Sequence, residues 1–302
     1  MRIVSPFLKR VLYPALYWSG FFRRTPAGGL AVVTYHGVLP QGYETIDPVL
    51  DGSLISSETL RHQLRLLKSN YNVISPEDVL AWREGKRELP PRAVLLTCDD
   101  GLLNNLTDML PVLQQEGMRC LFFVTGASAR DERTMQWSER SRPPFDVGDT
   151  ASLRRFGLLT AVELRELASA GMTIGAHTMS HPMLSQLPPE LARAEMVESR
   201  AKLESVVQSR VWAFAYPFGD PGSVTPRVLA MGQDAGYAAA FLNFGGGLGT
   251  ELPPYALPRV HVTSEMSIAE FEAHVSGFHG QLQRLSGREV QVAAPQGPPP
   301  RS

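Results

Sequence analysis

The stretch Leu95-Leu96-Thr97-Cys98-Asp99-Asp100-Gly101 decides how the rest of the chain is interpreted. The apolar run 93–96 is typical of a buried strand, and it leads into two adjacent carboxylates and a glycine that ends the strand. Two acids at the end of a buried strand are costly unless a site requires them. One of them can cap the next helix, but that role leaves the other unexplained. Because sites lie at the carboxyl ends of strands in parallel α/β folds, the pair predicts a functional site.

The composition predicts one large globular domain and argues against a nucleic-acid binder. The chain has 302 residues, of which 43% are hydrophobic, enough for a full core. Its 29 basic and 30 acidic residues nearly cancel, so a general affinity for nucleic acid is not expected. No apolar stretch approaches the ~20 residues of a membrane-spanning helix. Cys98 and Cys120 lie in apolar segments and are predicted to be buried thiols, not a disulfide framework.

Strand patterns alternate with helix patterns along the chain, which predicts a parallel sheet. About seven β/α units fit a closed or nearly closed barrel, and a doubly wound open sheet is the alternative. The segment 128–158 is polar and irregular, as long functional or mobile loops are. We divide the chain into an N-terminal segment 1–29, a main domain 30–284, and a Pro-rich tail 285–302 that is predicted to be disordered.

The N-terminal segment is basic and aromatic, and no acidic residue precedes Glu44. Basic side chains flank the run 11–22, as in helices that lie in a membrane interface. A helix that packs on the domain as a lid or barrel plug explains the pattern as well. A cleaved export signal ranks third, because Phe21-Phe22-Arg23-Arg24 stands where a small-residue cleavage site belongs. We therefore expect a cytoplasmic protein, peripheral on the inner membrane if residues 1–24 bind lipid.

Chemically useful side chains end several predicted strands, and in a parallel barrel these ends converge on one face. His177 and His181 are four residues apart, so both imidazoles can bind one ion. Taken alone, that spacing is equally explained by two histidines at the surface that bind no metal. Two imidazoles and one carboxylate leave open positions for water and substrate, which is typical of a catalytic metal site. The strand-end residues are Tyr35-His36, Asp99-Asp100, His177 with His181, Tyr216, and Arg259 with His261.

These motifs resemble those of the polysaccharide deacetylases of carbohydrate esterase family 4, the NodB-homology domain. Thr97-Cys98-Asp99-Asp100-Gly101 is similar to the family's T-F-D-D-G, and His177-Thr178-Met179-Ser180-His181 matches its H-[ST]-x-x-H. Phe214-Ala215-Tyr216-Pro217-Phe218-Gly219 resembles the third motif, and Leu257-Pro258-Arg259-Val260-His261 resembles the last. The likeness covers about residues 30–280. It implies a distorted (β/α)7 barrel and metal-dependent amide hydrolysis.

The resemblance also implies a role for each residue of these motifs. Asp99 is expected to be the general base, and a divalent cation, with zinc as the first choice, is expected on Asp100, His177 and His181. A carboxylate bound to a cation has little basicity left, whereas its neighbour can take a proton from the attacking water. The backbone N–H of Tyr216 is expected to stabilise the tetrahedral oxyanion. His261 is expected to protonate the leaving amine, which is a poor leaving group otherwise.

The third motif departs from the family pattern. Many family members carry an Arg there that pairs with the catalytic base, and here that position is Ala215. Arg259, at the end of the last predicted strand, can supply the cation for Asp99 from another direction. An ordinary surface ion pair is the alternative for Arg259.

Three functions fit these residues. The first is a metal-dependent N-deacetylase that acts on an N-acetylated sugar in a polysaccharide or a lipid-linked glycan. The second keeps the fold and metal but hydrolyses a small non-peptide amide. The third is a carbohydrate-binding relative that has lost catalysis, although the complete set of predicted ligands argues against it. Two histidines and a carboxylate also suit cobalt, manganese or nickel, so the sequence does not identify the ion.

Overall fold

The computed structural model describes residues 5–24, 28–39, 42–43, 51–132, 134 and 150–287. The strands in these ranges are β1 (Leu30–Tyr35), β2 (Gly37–Leu39), β3 (Leu54–Ser56), β4 (Asn72–Ile74), β5 (Ala93–Cys98), β6 (Leu121–Val124), β7 (Thr173–Ala176), β8 (Ala213–Ala215), β9 (Ala239–Gly245) and β10 (Leu257–His261). The α-helices are α1 (Tyr13–Trp18), α2 (Phe21–Arg24), α3 (Ser57–Asn70), α4 (Pro76–Arg83), α5 (Leu110–Glu116), α6 (Thr150–Phe156), α7 (Ala161–Ser169), α8 (Pro189–Val207), α9 (Pro226–Asp234), α10 (Ile268–Val275) and α11 (Phe278–Leu285).

Seven parallel strands close into a barrel. Their order is β1-β10-β9-β8-β7-β6-β5, and β5 returns to pair with β1 from Leu30↔Ala93 to Tyr35↔Cys98. The other edge of β5 is shared, because β4 pairs with its first half and β6 with Thr97 and Cys98. This shared edge distorts the barrel. The predicted distorted (β/α)7 barrel is therefore confirmed, and the open doubly wound sheet is excluded.

The barrel strands are buried on both faces, which explains their continuous apolar runs. Side chains alternate along each strand between two clusters. Val32 and Leu95 belong to the smaller cluster, which consists mainly of strand residues and fills the barrel. Val33 and Leu96 belong to the larger cluster, which also contains residues of α3, α7 and α8 and therefore lies between barrel and helices. Cys98 and Cys120 are buried free thiols, as predicted.

Two segments differ from the predicted pattern. The helical segment that follows β5 begins with a π-helical turn at Asn105–Met109, which the alternation of strand and helix patterns does not predict, and continues as α5, which is capped by Gly117 with φ 69°. The predicted irregular segment 128–158 ends in a helix, α6, although residues 133 and 135–149 lie outside the described ranges. The predicted disorder of the tail also falls largely outside them, since the structure describes nothing after residue 287.

The N-terminal segment packs one face on the domain. Tyr13 and Phe22 are fully buried against α10 and α11, in a cluster that includes Ala273. The hydroxyl of Tyr13 is 2.6 Å from Nδ1 of His279. One face of this segment therefore packs on the domain, as one of the two interpretations expected, whereas its other face is exposed. Within the described residues, no helix combines the length and apolar character needed to cross a bilayer.

Candidate active site

Three candidate metal ligands meet at the carboxyl ends of the barrel strands. Asp100 follows β5 and His177 follows β7, with β6 between these strands. Oδ1 of Asp100 is 3.5 Å from Nε2 of His177 and 3.4 Å from Nε2 of His181. The three ligand atoms all lie within 4.8 Å of one another. This cluster has the composition and spacing that one divalent cation requires.

Unusual backbone conformations are concentrated at this site. The φ angle is 75° for Asp100, 65° for Thr178, 61° for His181 and 62° for Phe218. Only two other non-glycine residues in the described ranges have a positive φ. Such conformations cost ~1–3 kcal/mol each and persist where the surrounding structure fixes them. The fold therefore accepts local strain in order to hold these side chains in place.

The carboxylate of Glu195 on α8 holds the loop between the two histidines. Its Oε2 accepts the backbone N–H groups of Met179 at 2.8 Å and Ser180 at 2.9 Å. The hydroxyl of Thr178 accepts the N–H of His181 at 3.0 Å. These bonds satisfy the donors of a strained loop and fix the position of His181. No sequence signal marks Glu195, because it lies within a long helix and belongs to no recognisable motif.

Hydrogen bonding leaves Nε2 of His177 available for a cation. Its Nδ1 is 2.8 Å from the carbonyl oxygen of Ala215. Because a carbonyl oxygen only accepts, Nδ1 carries the proton of the neutral ring, and Nε2 presents a lone pair whenever it does not donate to Asp100. Backbone carbonyls commonly orient metal-binding imidazoles in this way, so the residues fit a divalent cation. Nδ1 of His181 is buried and has no partner in the described part of the chain.

The charge state of the cluster also suits a cation. Burial alone would raise the pKa of Asp100, but the hydrogen bond from His177 and the nearby His181 hold that pKa well below its usual value. Burial, reinforced by His177, lowers the pKa of His181 to about 4. Burial also opposes protonation of His177, but the hydrogen bond to Asp100 raises its pKa above the usual value. An ionised Asp100 therefore stands beside a neutral His181, and a cation would take the place of the proton on Nε2 of His177.

The other carboxylate of the pair, Asp99, is bound to Arg259. The two terminal nitrogens of the guanidinium donate to the two carboxylate oxygens at 2.7 and 2.6 Å. Arg259 is completely buried, and it also donates to the hydroxyl of Thr97 and the carbonyl of Leu242. Burial would raise the pKa of Asp99, but Arg259 holds it below its usual value. The expected contact is present, and a surface ion pair is excluded.

Two further imidazoles lie at this end of the barrel. The ring centroids of His36 and His261 are 4.9 Å apart, in an edge-to-face arrangement. Nδ1 of His261 is 3.2 Å from Oδ1 of Asn243 in the second half of β9. Burial, with a further contribution from His36, lowers the pKa of His261 to about 3. The sequence placed His36 at a strand end without a role, and Asn243 was missed because nothing in its local sequence distinguishes it.

The structure contradicts the role predicted for Tyr216. Its backbone N–H donates to the carbonyl of Phe241 at 3.1 Å, as part of the β8–β9 ladder, and its hydroxyl donates to Tyr255. This N–H is therefore not available for an oxyanion. Phe218, two residues later, lies beside the candidate metal ligands, since its ring centroid is 5.1 Å from that of His181. Its N–H has no acceptor within the described residues.

Comparison with known proteins places these features in one family. The polysaccharide deacetylase family matches residues 86–240, just over half of the chain. The chain is 25% identical over 217 residues to YxkH of Bacillus subtilis, which is named as a polysaccharide deacetylase; the match covers 72% of this chain and 68% of YxkH. It is 24% identical over 282 residues to the poly-β-1,6-N-acetyl-D-glucosamine N-deacetylase of Escherichia coli K12, covering 83% of this chain but only 39% of that relative.

Solved structures share the fold. The deacetylase PplD of Streptococcus pyogenes, in complex with acetate, superposes with a TM-score of 0.64 at 19% identity, over 83% of this chain and 99% of PplD. IcaB of Ammonifex degensii superposes with a TM-score of 0.63 at 23% identity, over 82% of this chain and 97% of IcaB. At these identities the similarity establishes the distorted (β/α)7 barrel and no more.

Proposed function

Because the chain belongs to the polysaccharide deacetylase family, we propose that it removes the acetyl group from an N-acetylated sugar of a glycan by metal-dependent hydrolysis. Family membership makes it a hydrolase of carbon–nitrogen bonds in linear amides. An N-acetylglucosamine polymer is the substrate that the name of the Escherichia coli relative supports. A lipid-linked glycan presents the same acetamido group and is the second substrate.

The observation that carries this proposal is that the two adjacent carboxylates face different partners. Asp100 faces two imidazoles, whereas both oxygens of Asp99 face Arg259. One carboxylate can therefore bind a cation while its neighbour remains off the metal and ionised. A protein that only binds carbohydrate has no need for this arrangement, which favours an active hydrolase over an inactive relative.

The residues divide the chemistry between them. A divalent cation on Asp100, His177 and His181 would act as a Lewis acid, and zinc is our first choice for it. Asp99 takes a proton from the attacking water at a carboxylate oxygen. The N–H of Phe218 is the donor we assign to the carbonyl oxygen as negative charge develops on it.

The departing amine needs a proton, and His261 is the group assigned to give it. Because the amide oxygen of Asn243 accepts from Nδ1, the other ring nitrogen, Nε2, is the one that can serve the substrate. A pKa of about 3 leaves the resting imidazole neutral at neutral pH. His261 must therefore take up a proton at Nε2 during the reaction, either the one that Asp99 removes from the attacking water or one from solvent, before it gives that proton to the leaving nitrogen. The ring of His36 lies against that of His261.

The chain is also proposed to act at a membrane surface, as a cytoplasmic protein peripheral on the inner membrane. The outward face of the N-terminal segment exposes Trp18 by 83%, Phe7 by 61% and Val11 by 52%. Arg10 and Arg24 are exposed beside them. Large apolar side chains flanked by basic ones are typical of helices that bind the bilayer interface.

The hydrolase is tested by acetate release from soluble N-acetylglucosamine oligomers. We expect the wild-type enzyme to release acetate, a chelator to stop the reaction, and added zinc to restore it. Asp99→Asn is the matched control, because it preserves the shape of the side chain but not its basicity. Absence of acetate release by metal-loaded wild-type protein from both oligomeric and polymeric substrates would contradict the proposal.

A further inference from the structure

A groove beside the N-terminal segment gathers basic side chains well outside the active site. It lies between α1, α2, α3 and α10 and has a volume of about 360 Å³. Its lining includes Tyr17, Arg23, His62, Arg65 and Ser69, and none of its lining residues is acidic. The deacetylase site does not use any of them.

Both guanidinium groups of the groove have donors available. The guanidinium of Arg23 makes no hydrogen bond or ion pair within the described residues. Arg65 uses Nε to bind Glu116 at 2.9 Å, and its side chain is 61% exposed. A guanidinium carries five N–H donors in a planar fork, so several remain free to bind an anion.

Two buried carboxylates, Glu116 and Glu272, lie close to the groove but do not line it. Glu272 is 1% exposed, and its Oε1 accepts from Asn70, which is part of the lining, at 3.1 Å. Burial raises the pKa of Glu272, although nearby Arg23 opposes that effect. Glu116 and Glu272 offset the charge of the two guanidinium groups, but neither carboxylate lines the groove, so the groove presents cationic donors and no acid to a ligand.

The groove adjoins the exposed apolar face of the N-terminal segment. Trp18 lies outside the groove, and its ring centroid is 5.3 Å from that of Tyr17, which lines it. Phe7, Val11 and Trp18 are spaced so that they share one face of a helix. Tryptophan side chains settle at the level of lipid headgroups, which is the level of the phosphates. If the Trp18 ring lies in the membrane interface, the adjoining groove lies at the depth of the lipid phosphates.

We infer that this groove binds the phosphate group of an anionic phospholipid. Arg23 and Arg65 donate to the phosphate oxygens, and Trp18 enters the interface beside them. Arginine suits this role because its fork matches the geometry of phosphate oxygens. The inference rests on the proposed membrane contact and extends it from a general attraction to a defined headgroup site.

The test compares two double variants that remove the same charge. Arg23→Gln/Arg65→Gln empties the groove of guanidinium groups. Arg61→Gln/Lys68→Gln removes two basic side chains from α3, one of the helices that form the groove, but neither residue lines the groove. Binding is measured by co-sedimentation with phosphatidylcholine vesicles that contain a minor fraction of phosphatidylglycerol. Circular dichroism melting confirms that each variant is folded.

We expect the groove variant to weaken vesicle binding ~10-fold more than the control variant, because it loses directed hydrogen bonds as well as charge. Equal losses would mean that only net charge matters and would overturn the inference, while leaving the membrane contact in place. Failure of the wild-type protein to bind any vesicle would overturn both. Acetate release from soluble oligomers is read separately, so a failed hydrolase is distinguishable from a failed groove.

A competition experiment identifies the chemistry of the ligand. Inorganic phosphate is compared with chloride at equal ionic strength, so that screening is the same. Phosphate is expected to displace the wild-type protein from vesicles more effectively than chloride, and this difference is expected to disappear in the groove variant. Equal displacement by the two anions would contradict a phosphate site. Phosphate binding without any vesicle binding would contradict a lipid as the source.

Discussion

Arg259 and Asp99, which are 160 residues apart in sequence, form a buried, doubly hydrogen-bonded ion pair between the ends of two strands. The strands, β10 and β5, are both neighbours of β1 in the closed barrel. The guanidinium of Arg259 on the last strand therefore pairs with Asp99. It takes the place of the arginine that many family members carry at the position of Ala215. The barrel allows this exchange because every strand ends on the same face.

Replacing Arg259 with Met should move the acidic limb of the pH–rate profile to higher pH. Arg259 favours ionised Asp99, so its loss raises the pKa of the base, which must be ionised to act. The profile is measured as kcat/KM for acetate release. Arg210→Met, which removes a surface ion pair with Glu84, is the control and should leave the limb unmoved. An unmoved limb in Arg259→Met would show that Arg259 does not tune the base.

The same variant should be less stable at neutral pH than at acidic pH, relative to wild type. The folded-state pKa of Asp99 lies below its unfolded value, so the pair stabilises the fold above the ordinary carboxyl pKa and is lost as pH falls through the folded value. Removing one partner of a buried ion pair costs ~3–5 kcal/mol. Urea unfolding across pH measures the difference. A free-energy difference that does not shrink at low pH would count against this account.

Asp99→Asn should keep the metal but lose most hydrolysis. The amide preserves the shape of the side chain but cannot take a proton from water, and general-base contributions are typically ~10²–10⁴-fold. Asp100→Asn is the comparison, since it alters a predicted ligand. If Asp99→Asn loses metal while Asp100→Asn retains it, the two roles are reversed.

His36 and His261 should respond differently to replacement by Gln. If His261 protonates the leaving amine, His261→Gln slows amide hydrolysis but spares an aryl acetate, whose leaving group needs no proton. His36 lowers the pKa of His261, so His36→Gln should move the alkaline limb to higher pH while activity remains. If His36→Gln shows the selective loss on the amide and His261→Gln does not, His36 is the acid.

The residues that form the site at the ends of the barrel strands could be predicted from the sequence. The hydrogen bonds that hold these residues in place could not. Alternating β/α patterns indicated the barrel, and a parallel barrel brings Asp100, His177 and Arg259 together without further information. The two histidine ligands are close in sequence, so a local motif reveals them. The position of the carboxylate ligand beside them follows from the order of the strands in the barrel.

The site features that the sequence did not predict are the hydrogen-bond partners of backbone groups and the contacts that depend on how strands and helices are placed. Whether the N–H of Tyr216 is free depends on its pairing with β9, which no local pattern specifies. Glu195 and Asn243 act through the three-dimensional positions of α8 and β9, and their own sequence neighbourhoods are ordinary. The three-residue strands β2, β3 and β4 are too short to show a period.

Metal content after dialysis tests the central claim most directly. Wild-type protein and Asp99→Asn are predicted to retain one divalent ion per chain, and His177→Ala/His181→Ala to retain none, because it loses two of the three protein ligands. Asp99→Asn serves as the matched control next to the site. Full metal content in the His177→Ala/His181→Ala variant would contradict the account.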